Sequence, residues 1–487
     1  MIEETVKIHD KFQFELKFTY QFKENLHKKK YSVDTYIFIP KSLGVGPGYY
    51  SKSDFYHDIQ SYIRLKTPVI LLKNISGDIN SPMAKLKRSI ERLVSGLDDK
   101  KSSDYIYRLK MFCSIFRSAL RDEMSFVSKQ QTNKDIEFHL RSYLENSLKV
   151  LEEFRELRNL VNVSTIPDKY FLMYLYADEY LSLQINEYRH ELYEFLVRSG
   201  HKKADDYMEN ILKIAKEEIT SRKNAGYPSI PTDNSDNEMI IYRRNALKKF
   251  VGSVLFLGIK TAREGIVIEQ MLFGLSAAIA MAFATGVAFY YRKSFQDLTM
   301  TFFMILVVSY IFKDRMKELL RNYISVNLQK YFFDHKTKIY SNSGHRIGIL
   351  RENFSFIKNN SIPKQIVDVR RKDFMAGVDE ALFGENVMLY KKQILLFSDK
   401  FKTVFPDFQI NGINDIIRMD ISSFLGKMDN PEEDVFIPKK SEYHRIIGSR
   451  VYHINLIIKY SIDDGTSLIN RFRLILNRNG IKRIEEA

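Results

Sequence analysis

The segment most suggestive of chemistry begins at Gly44 and reads GVGPGYYSKS. Counted from its second glycine, it has the spacing of a phosphate-binding P-loop, with Lys52 and Ser53 where the lysine and the magnesium-ligating hydroxyl would stand. Two residues depart from that pattern, since Ser51 replaces the glycine before the lysine and Pro47 has no backbone N–H to offer a phosphate. A Gly-Pro-rich surface turn with a serine N-cap is therefore favoured over a degenerate nucleotide-binding loop.

Histidine and cysteine offer weaker signals. Glu187 and His190 lie one turn apart on a predicted helix, but a di-iron bundle needs this pairing twice with further carboxylates, so a solvated helix face is favoured. The single cysteine, Cys113, excludes an intramolecular disulfide and a cysteine-built zinc site, and its place on an amphipathic helix predicts a small buried residue. We therefore predict no catalytic residue, no cofactor and no metal, and the motifs do not point to an enzyme.

Two apolar runs in the middle of the chain give the clearest structural signal. Met271–Tyr291 has about twenty residues without a charge, and a helix of that length covers the roughly 30 Å hydrocarbon core of a bilayer. Leu298–Phe312 is shorter and alone could be a buried core helix. Because it follows so closely, we predict a transmembrane helix hairpin with spans at about 270–291 and 297–312. The alternative is a pair of core helices in a soluble domain.

Basic residues beside the spans predict the orientation, since Lys and Arg near span ends are retained in the cytoplasm. The basic residues in the turn between the runs are Arg292 and Lys293, whereas more basic residues flank the hairpin at its other end. The first ten residues lack the basic flank and apolar core of a cleaved signal. We therefore predict a bacterial inner (plasma) membrane protein with both termini cytoplasmic. Its anionic headgroup contacts are predicted at Lys313, Arg315, Lys317 and Arg321.

The first span carries a stripe of small residues at four-residue spacing, formed by Gly274, Ala278, Ala282 and Gly286. In lipid, where apolar burial does not drive association, such a stripe lets another backbone approach closely. The stripe either packs against the second span or joins two copies of the chain, which would make a homo-oligomer.

The soluble parts divide by their hydrophobic periodicity. Residues 12–22 alternate apolar and polar side chains, and Tyr31–Ile39 follows as a second strand-like run, which predicts that the two pair in a small antiparallel sheet. Amphipathic helices then predict a bundle. The predicted regions are 1–75 (β-rich), 80–223 (helical bundle), 224–238 (linker), 239–331 (juxtamembrane helices and the transmembrane hairpin) and 332–487 (α+β).

Two segments near the spans and the C-terminus refine this division. Met239–Gly265 fits either an amphipathic helix along the headgroups or a helix packed on the bundle. After residue 332, strands over 452–460 and 472–476 and a helix over 373–382 predict a domain with an antiparallel sheet. The predicted fold class is therefore an α+β multidomain membrane protein.

Composition limits the partners and the class of protein. The 487 residues carry a formal net charge of +15 and are 45% hydrophobic, with a mean hydropathy of −0.28. These values exclude a mostly disordered chain and a transporter whose mass lies in the bilayer. For a protein at the inner leaflet the nearest large anion is phospholipid, so nucleic acid is not the expected partner.

We predict a sensor, scaffold or interaction platform that is anchored by two spans and binds an unidentified cytoplasmic protein. The alternatives are a membrane-tethered nucleotide-binding enzyme, which would use Lys52 and Ser53, and an oligomeric channel or membrane-perturbing effector. The enzyme would need the degenerate P-loop to hold a phosphate. The channel would need the small-residue stripe to join copies.

Overall fold

The structure is a computed structural model, and its chain divides into two compact units. The first unit contains Met1–Ile63, Leu257–Pro406 and Asn411–Ala487, and the second contains Arg64–Phe256 and Asp407–Ile410. The residues that the structure describes are 2–21, 27–129, 133–199, 204–233, 236–294, 300–328, 331–372, 384–439, 442–462, 465 and 467–486.

Antiparallel strands dominate the first unit. The strands of the described residues are β1 (Ile2–Ile8), β2 (Gln13–Gln21), β3 (Lys29–Pro40), β4 (Ile59–Leu65), β5 (Gly258–Arg263), β6 (His335–Tyr340), β7 (Arg346–Ile357), β8 (Glu385–Leu396), β9 (Gly412–Asp420), β10 (Glu432–Lys439), β11 (Glu442–Ser449), β12 (Tyr452–Ile462), β13 (Ser467–Asn477) and β14 (Gly480–Glu486). One sheet has eight strands in the order β14-β13-β12-β3-β8-β7-β6-β5, and every neighbouring pair in it is antiparallel. A second sheet has the order β1-β2-β9-β4, and β10 pairs with β11 alone.

The predicted N-terminal strands exist, but their predicted pairing is wrong. β2 pairs with β1 and β9, whereas β3 lies between β12 and β8 in the other sheet. Alternation predicts a strand and its faces without naming the neighbour, because every strand offers the same backbone donors and acceptors. Residues from the two ends of the chain therefore share one sheet.

The first unit also contains helices. They are α1 (Lys52–Asp58), α9 (Ile266–Ser294), α10 (Met300–Leu328), α11 (Lys364–Arg371), α12 (Ser398–Val404) and α13 (Ser422–Leu425). The helix predicted over 373–382 lies outside the described residues. The strands predicted over 452–460 and 472–476 are confirmed as parts of β12 and β13.

A buried ion pair joins the two sheets of this unit. Lys392 on β8 lies 2.6 Å from Asp415 on β9 and 3.2 Å from Glu352 on β7, and the Tyr390 hydroxyl donates to Glu352. Burial alone would lower the pKa of Lys392, but the two carboxylates outweigh it and the pKa lies above its usual value. The ammonium therefore stays charged in the core, held by carboxylates from both sheets.

The second unit is a helical bundle. Its helices are α2 (Pro82–Val94), α3 (Asp99–Val127), α4 (Asn133–Glu156), α5 (Arg158–Val161), α6 (Asp168–Ser199), α7 (Ala204–Asn224) and α8 (Glu238–Gly252). Of the two predictions for Met239–Gly265, packing on the bundle is confirmed for α8, where Arg243 pairs with buried Glu179 at 2.7 Å. Cys113 is buried on α3, as predicted, and burial raises the pKa of its thiol.

A network of charged and polar side chains connects α4, α6 and α7 inside this bundle. Arg155 on α4 holds Glu218 on α7 through bonds of 2.9 and 3.0 Å and Asp178 on α6 at 3.0 Å. The Ser182 hydroxyl donates to Glu218 at 2.7 Å. Burial alone would raise the pKa of Glu218, but these donors outweigh it, so the pKa lies below its ordinary value of 4.5.

Replacing Glu218 with Gln should loosen α6 and α7 in a pH-dependent way. A depressed folded-state pKa stabilises the bundle above pH 4.5, and this contribution is lost as the pH falls through the folded-state value. At pH 7 we expect Glu218→Gln to lower the opening free energy of these helices by about 2–3 kcal/mol, measured by hydrogen–deuterium exchange. The difference in opening free energy between the variant and wild type should become smaller below pH 4.5.

The matched control is Glu217→Gln, which removes the same charge from the exposed neighbouring residue. It should leave exchange unchanged. Equal effects of the two substitutions would contradict the role given to Glu218.

Candidate functional site

A pair of helices interrupts one β-hairpin of the first unit. β5 and β6 are antiparallel neighbours, with Arg263 opposite His335, yet α9 and α10 lie between them in the chain. The chain therefore leaves the sheet and returns to it at the same edge. We call α9 and α10 together the helical hairpin, its end beside β5 and β6 the hairpin base, and its end near Arg292 and Met300 the hairpin tip.

α9 has the length and composition of a membrane span. It contains 29 residues, which corresponds to about 43 Å of helix. In its most apolar window only 11% of the residues are buried, so it does not resemble the core helix of a soluble domain. Within the described residues only Ile266–Arg292 is long and apolar enough to cross a membrane. α10 falls short of that measure because its charged residues begin at Lys313.

Small residues form the contact between the two helices. Ser276 and Ala280 on α9 are each 1% exposed, and Ser309 on α10 is 6% exposed. Such residues let two helix backbones approach closely, which in lipid replaces the apolar burial that packs helices in water. The burial of these small residues therefore marks the faces on which the two helices approach each other.

The predicted small-residue stripe lies on another face of α9. Gly274, Ala278, Ala282 and Gly286 are all exposed, and a Cβ atom added at either glycine would meet nothing within 4 Å among the described residues. The stripe is displaced by two residues, about 200° around the helix, from Ser276 and Ala280. Of the two predictions for the stripe, packing against the second helix is therefore wrong.

The second half of α10 carries a charged belt. Its members are mostly exposed and comprise Lys313, Asp314, Arg315, Lys317, Glu318 and Arg321. Arg321 lies over the ring of Phe273, with its Cζ 4.7 Å from the centroid, and the Ser325 hydroxyl lies 3.4 Å from Glu269. These contacts fix the antiparallel register, which places the charged belt beside residues 273–281 of α9.

A glycine forms the corner between β5 and α9. Gly265 has φ +83°, in the left-handed region, and a Cβ atom there would lie 2.8 Å from the ring of Phe332. Its carbonyl accepts the backbone N–H of Glu269, which starts the helix. Both the backbone conformation and the close aromatic ring require a residue without a side chain.

A cavity of about 750 Å³ opens at the hairpin base. Arg263 pairs with Glu269 across it at 3.2 Å, and Lys52 pairs with Asp334 at 2.6 Å. Asp334 also accepts the Tyr56 hydroxyl at 3.0 Å and the backbone N–H of Phe354 at 2.8 Å. The lining residues are Lys52, Ser53, Tyr56, His57, Arg263, Glu264, Gly265, Glu269, Leu328, Phe332, Phe333, Asp334 and His335.

The structure brings Lys52 and Ser53 to this cavity but gives them other partners than a phosphate. Ser51 is the N-cap of α1 and forms a capping box with Asp54, which confirms the predicted serine N-cap. Lys52 is paired with Asp334. The strand before the loop, β3, lies in an antiparallel sheet, whereas a P-loop follows a strand of a parallel sheet. The geometry favours the surface turn over nucleotide binding.

Sequence reasoning missed Asp334, the Ser276–Ala280 packing face and the pair formed by Lys392 and Asp415. No local pattern marks them, because their partners lie on other elements of the fold. The nearest signal for the packing face is that Ser276 and Ala280 are also small residues with four-residue spacing, two positions after Gly274 and Ala278.

Comparisons with protein-family models, with curated proteins and with solved structures found no match to this chain. What the protein does must therefore be inferred from its own residues. The helical hairpin and the cavity at its base are the features that carry this inference.

Gly265→Ala should destabilise the hairpin base, because an alanine in the left-handed region costs about 1–2 kcal/mol before the contact with Phe332 is added. Gly274→Ala is the matched control, since it fills open space inside a helix and should be neutral or gain up to about 1 kcal/mol. Thermal unfolding of the two purified variants would measure the difference. Equal melting temperatures would contradict the corner's role.

Proposed function

We propose that this protein is anchored in the inner (plasma) membrane by its helical hairpin, with both termini cytoplasmic, and acts there as a sensor, scaffold or interaction platform. The observation that carries the proposal is the long, exposed, apolar α9, which leaves and rejoins the sheet at one edge. The partner that this surface suits is the hydrocarbon of a bilayer.

The pairing of β5 with β6 supports a two-helix arrangement in the membrane. If α9 crossed the bilayer alone, His335 would emerge on the side opposite Arg263, although the two residues are paired. Since the strands cannot pair across a membrane, the chain must return through α10. For an embedded α9, the pairing of β5 with β6 therefore supports an even number of crossings.

The outer surface of the hairpin supports the same proposal. Between the charged belt and the tip, Phe283 and Phe289 on α9 and Phe303, Val307 and Val308 on α10 are all exposed. Removing one such side chain from water is worth about 1.5–3 kcal/mol, so five of them supply on the order of 10 kcal/mol. An apolar surface of this kind on a soluble protein would be an association site.

The charged belt limits how deep the hairpin can lie. One charge at the centre of a membrane helix costs about 2.5–3.5 kcal/mol, so the six charges of the belt would together cost on the order of 15–20 kcal/mol. The exposed apolar side chains at the same depth would return only about 6–12 kcal/mol, and they are Leu275, Ile279, Met281 and Leu319. The belt should therefore lie at the headgroups, where Lys313, Arg315, Lys317 and Arg321 would meet anionic lipid.

The same charges support a cytoplasmic hairpin base. Four basic residues of the belt stand near the base with Lys260 and Arg263, whereas the tip has Arg292 and Lys293. The positive-inside rule places the more basic end in the cytoplasm. The two acidic residues of the belt contribute little to this rule, which counts Lys and Arg.

Lysine substitutions between the charged belt and the tip should release the protein from membranes. We expect wild type to float with vesicles of mixed phosphatidylcholine and phosphatidylglycerol after an alkaline wash, and the double variant Phe283→Lys/Val308→Lys to lose most of that binding. The control, Leu319→Lys, also replaces an exposed apolar residue, but within the belt, and should float like wild type.

Wild type that stays with the unbound protein would contradict the proposal. So would equal flotation of the double variant and the Leu319→Lys control.

We also propose that the outward stripe joins two copies of the chain, as small residues do between helices in lipid. Its open space at Gly274 and Gly286 supports this contact. Gly286→Leu should lower cross-linked dimer in membranes several-fold, and Phe289→Leu, an outward apolar control, should not. Cross-linking that yields only monomer would contradict the homo-oligomer. Ion flux through vesicles holding the dimer would favour the channel alternative.

A further inference from the structure

We infer that the helical hairpin crosses a bilayer that is locally thinner than usual, so that its lipid partner is a membrane with short acyl chains. This inference rests on the proposed membrane anchoring. It comes from the register of the two helices and from the charges at both ends of their shared apolar part.

The apolar part that the two helices share is short. Its described residues in α10 are Met300 to Phe312, since the charged belt starts at Lys313, and on α9 it ends at Arg292. These residues correspond to about 20 Å of helix, against about 30 Å of hydrocarbon in a typical bilayer. Lys313 shortens it further, since its Nζ reaches back over the Tyr310 ring, 3.6 Å from the centroid.

The register extends this limit to α9. Because Arg321 lies over Phe273 and Ser325 lies beside Glu269, residues 273–281 stand at the depth of the belt. The apolar sequence of α9 alone would cross an ordinary bilayer, but its first half cannot enter the hydrocarbon without drawing the belt in with it. α10 therefore sets the depth of both helices.

Three arrangements compete, and charge decides between them. Crossing an ordinary bilayer would bury part of the belt, and insertion into one leaflet would leave the charge of Arg292 near the midplane. Each buried charge costs several times more than an ångström of mismatch between helix and bilayer. Thinning of the bilayer around the hairpin keeps both sets of charges at the headgroups and is the least costly arrangement.

The test reconstitutes the full chain into vesicles of dimyristoleoyl-, dioleoyl- or dierucoyl-phosphatidylcholine, each with the same fraction of phosphatidylglycerol. We expect the fraction that floats after an alkaline wash to fall several-fold from the shortest chains to the longest. Equal flotation on all three, or a preference for the longest chains, would overturn the inference while leaving the anchoring intact. Failure to float on any of them would overturn both.

A variant with a longer apolar part should change this preference. Lys313→Leu/Asp314→Leu/Arg315→Leu extends the apolar part of α10 by about one turn and should move the best flotation to longer acyl chains. The control Lys313→Gln/Asp314→Asn/Arg315→Gln removes the same charges but stays polar, so it should keep the wild-type order. Identical orders for the two triple variants would overturn the inference.

The substitution Leu275→Lys tests directly how deep the first half of α9 lies. Leu275 is exposed and stands beside the belt, so Leu275→Lys should float like wild type on dioleoyl vesicles. If the first half of α9 lay in hydrocarbon, this variant would instead float several-fold less than wild type, and the inference would fail.

Discussion

The pairing of β5 with β6 is the constraint on which the rest of the structure depends. Because Arg263 lies opposite His335, everything between them must begin and end at one edge of the eight-stranded sheet. Gly265 makes the corner that this requires, and the Arg263–Glu269 and Lys52–Asp334 pairs surround the cavity at the same place. The two long helices are consequently an insertion in a β-hairpin, with a rigid sheet at their base.

Apolar and charged residues act in opposite directions along this insertion. In the proposed membrane-anchored state, the exposed apolar side chains between the belt and the tip would favour hydrocarbon and the charged belt would oppose entry, so the two together would set a depth as well as a preference for lipid. Between the two sheets of the first unit, by contrast, Lys392 is buried with its charge because Asp415 and Glu352 surround it. The same kind of group is thus tolerated in a protein core and excluded from a bilayer, and the difference is the presence of fixed partners.

Local patterns in the sequence predict the elements well. The alternation in residues 12–22 predicts β2, and the two apolar runs predict helices in the places of α9 and α10, because each pattern reflects which side of a single element avoids water. Partners are harder to predict, as β2 and β3 show by joining different sheets. α9 carries small residues on two faces, and only the position of α10 reveals that Ser276 and Ala280 form the contact while Gly274 faces outward.

The depth of Phe289, an outward residue in the apolar part of α9, tests the central claim most directly. A fluorophore on Phe289→Cys in vesicles can be attached with Cys113 in place, because that thiol is buried and its pKa is raised. Membrane anchoring predicts strong quenching by nitroxides on the acyl chains and little by iodide in the water, whereas a label on exposed Tyr49→Cys should show the reverse. Iodide quenching of the residue-289 label that matches the residue-49 label would contradict the membrane-embedded hairpin.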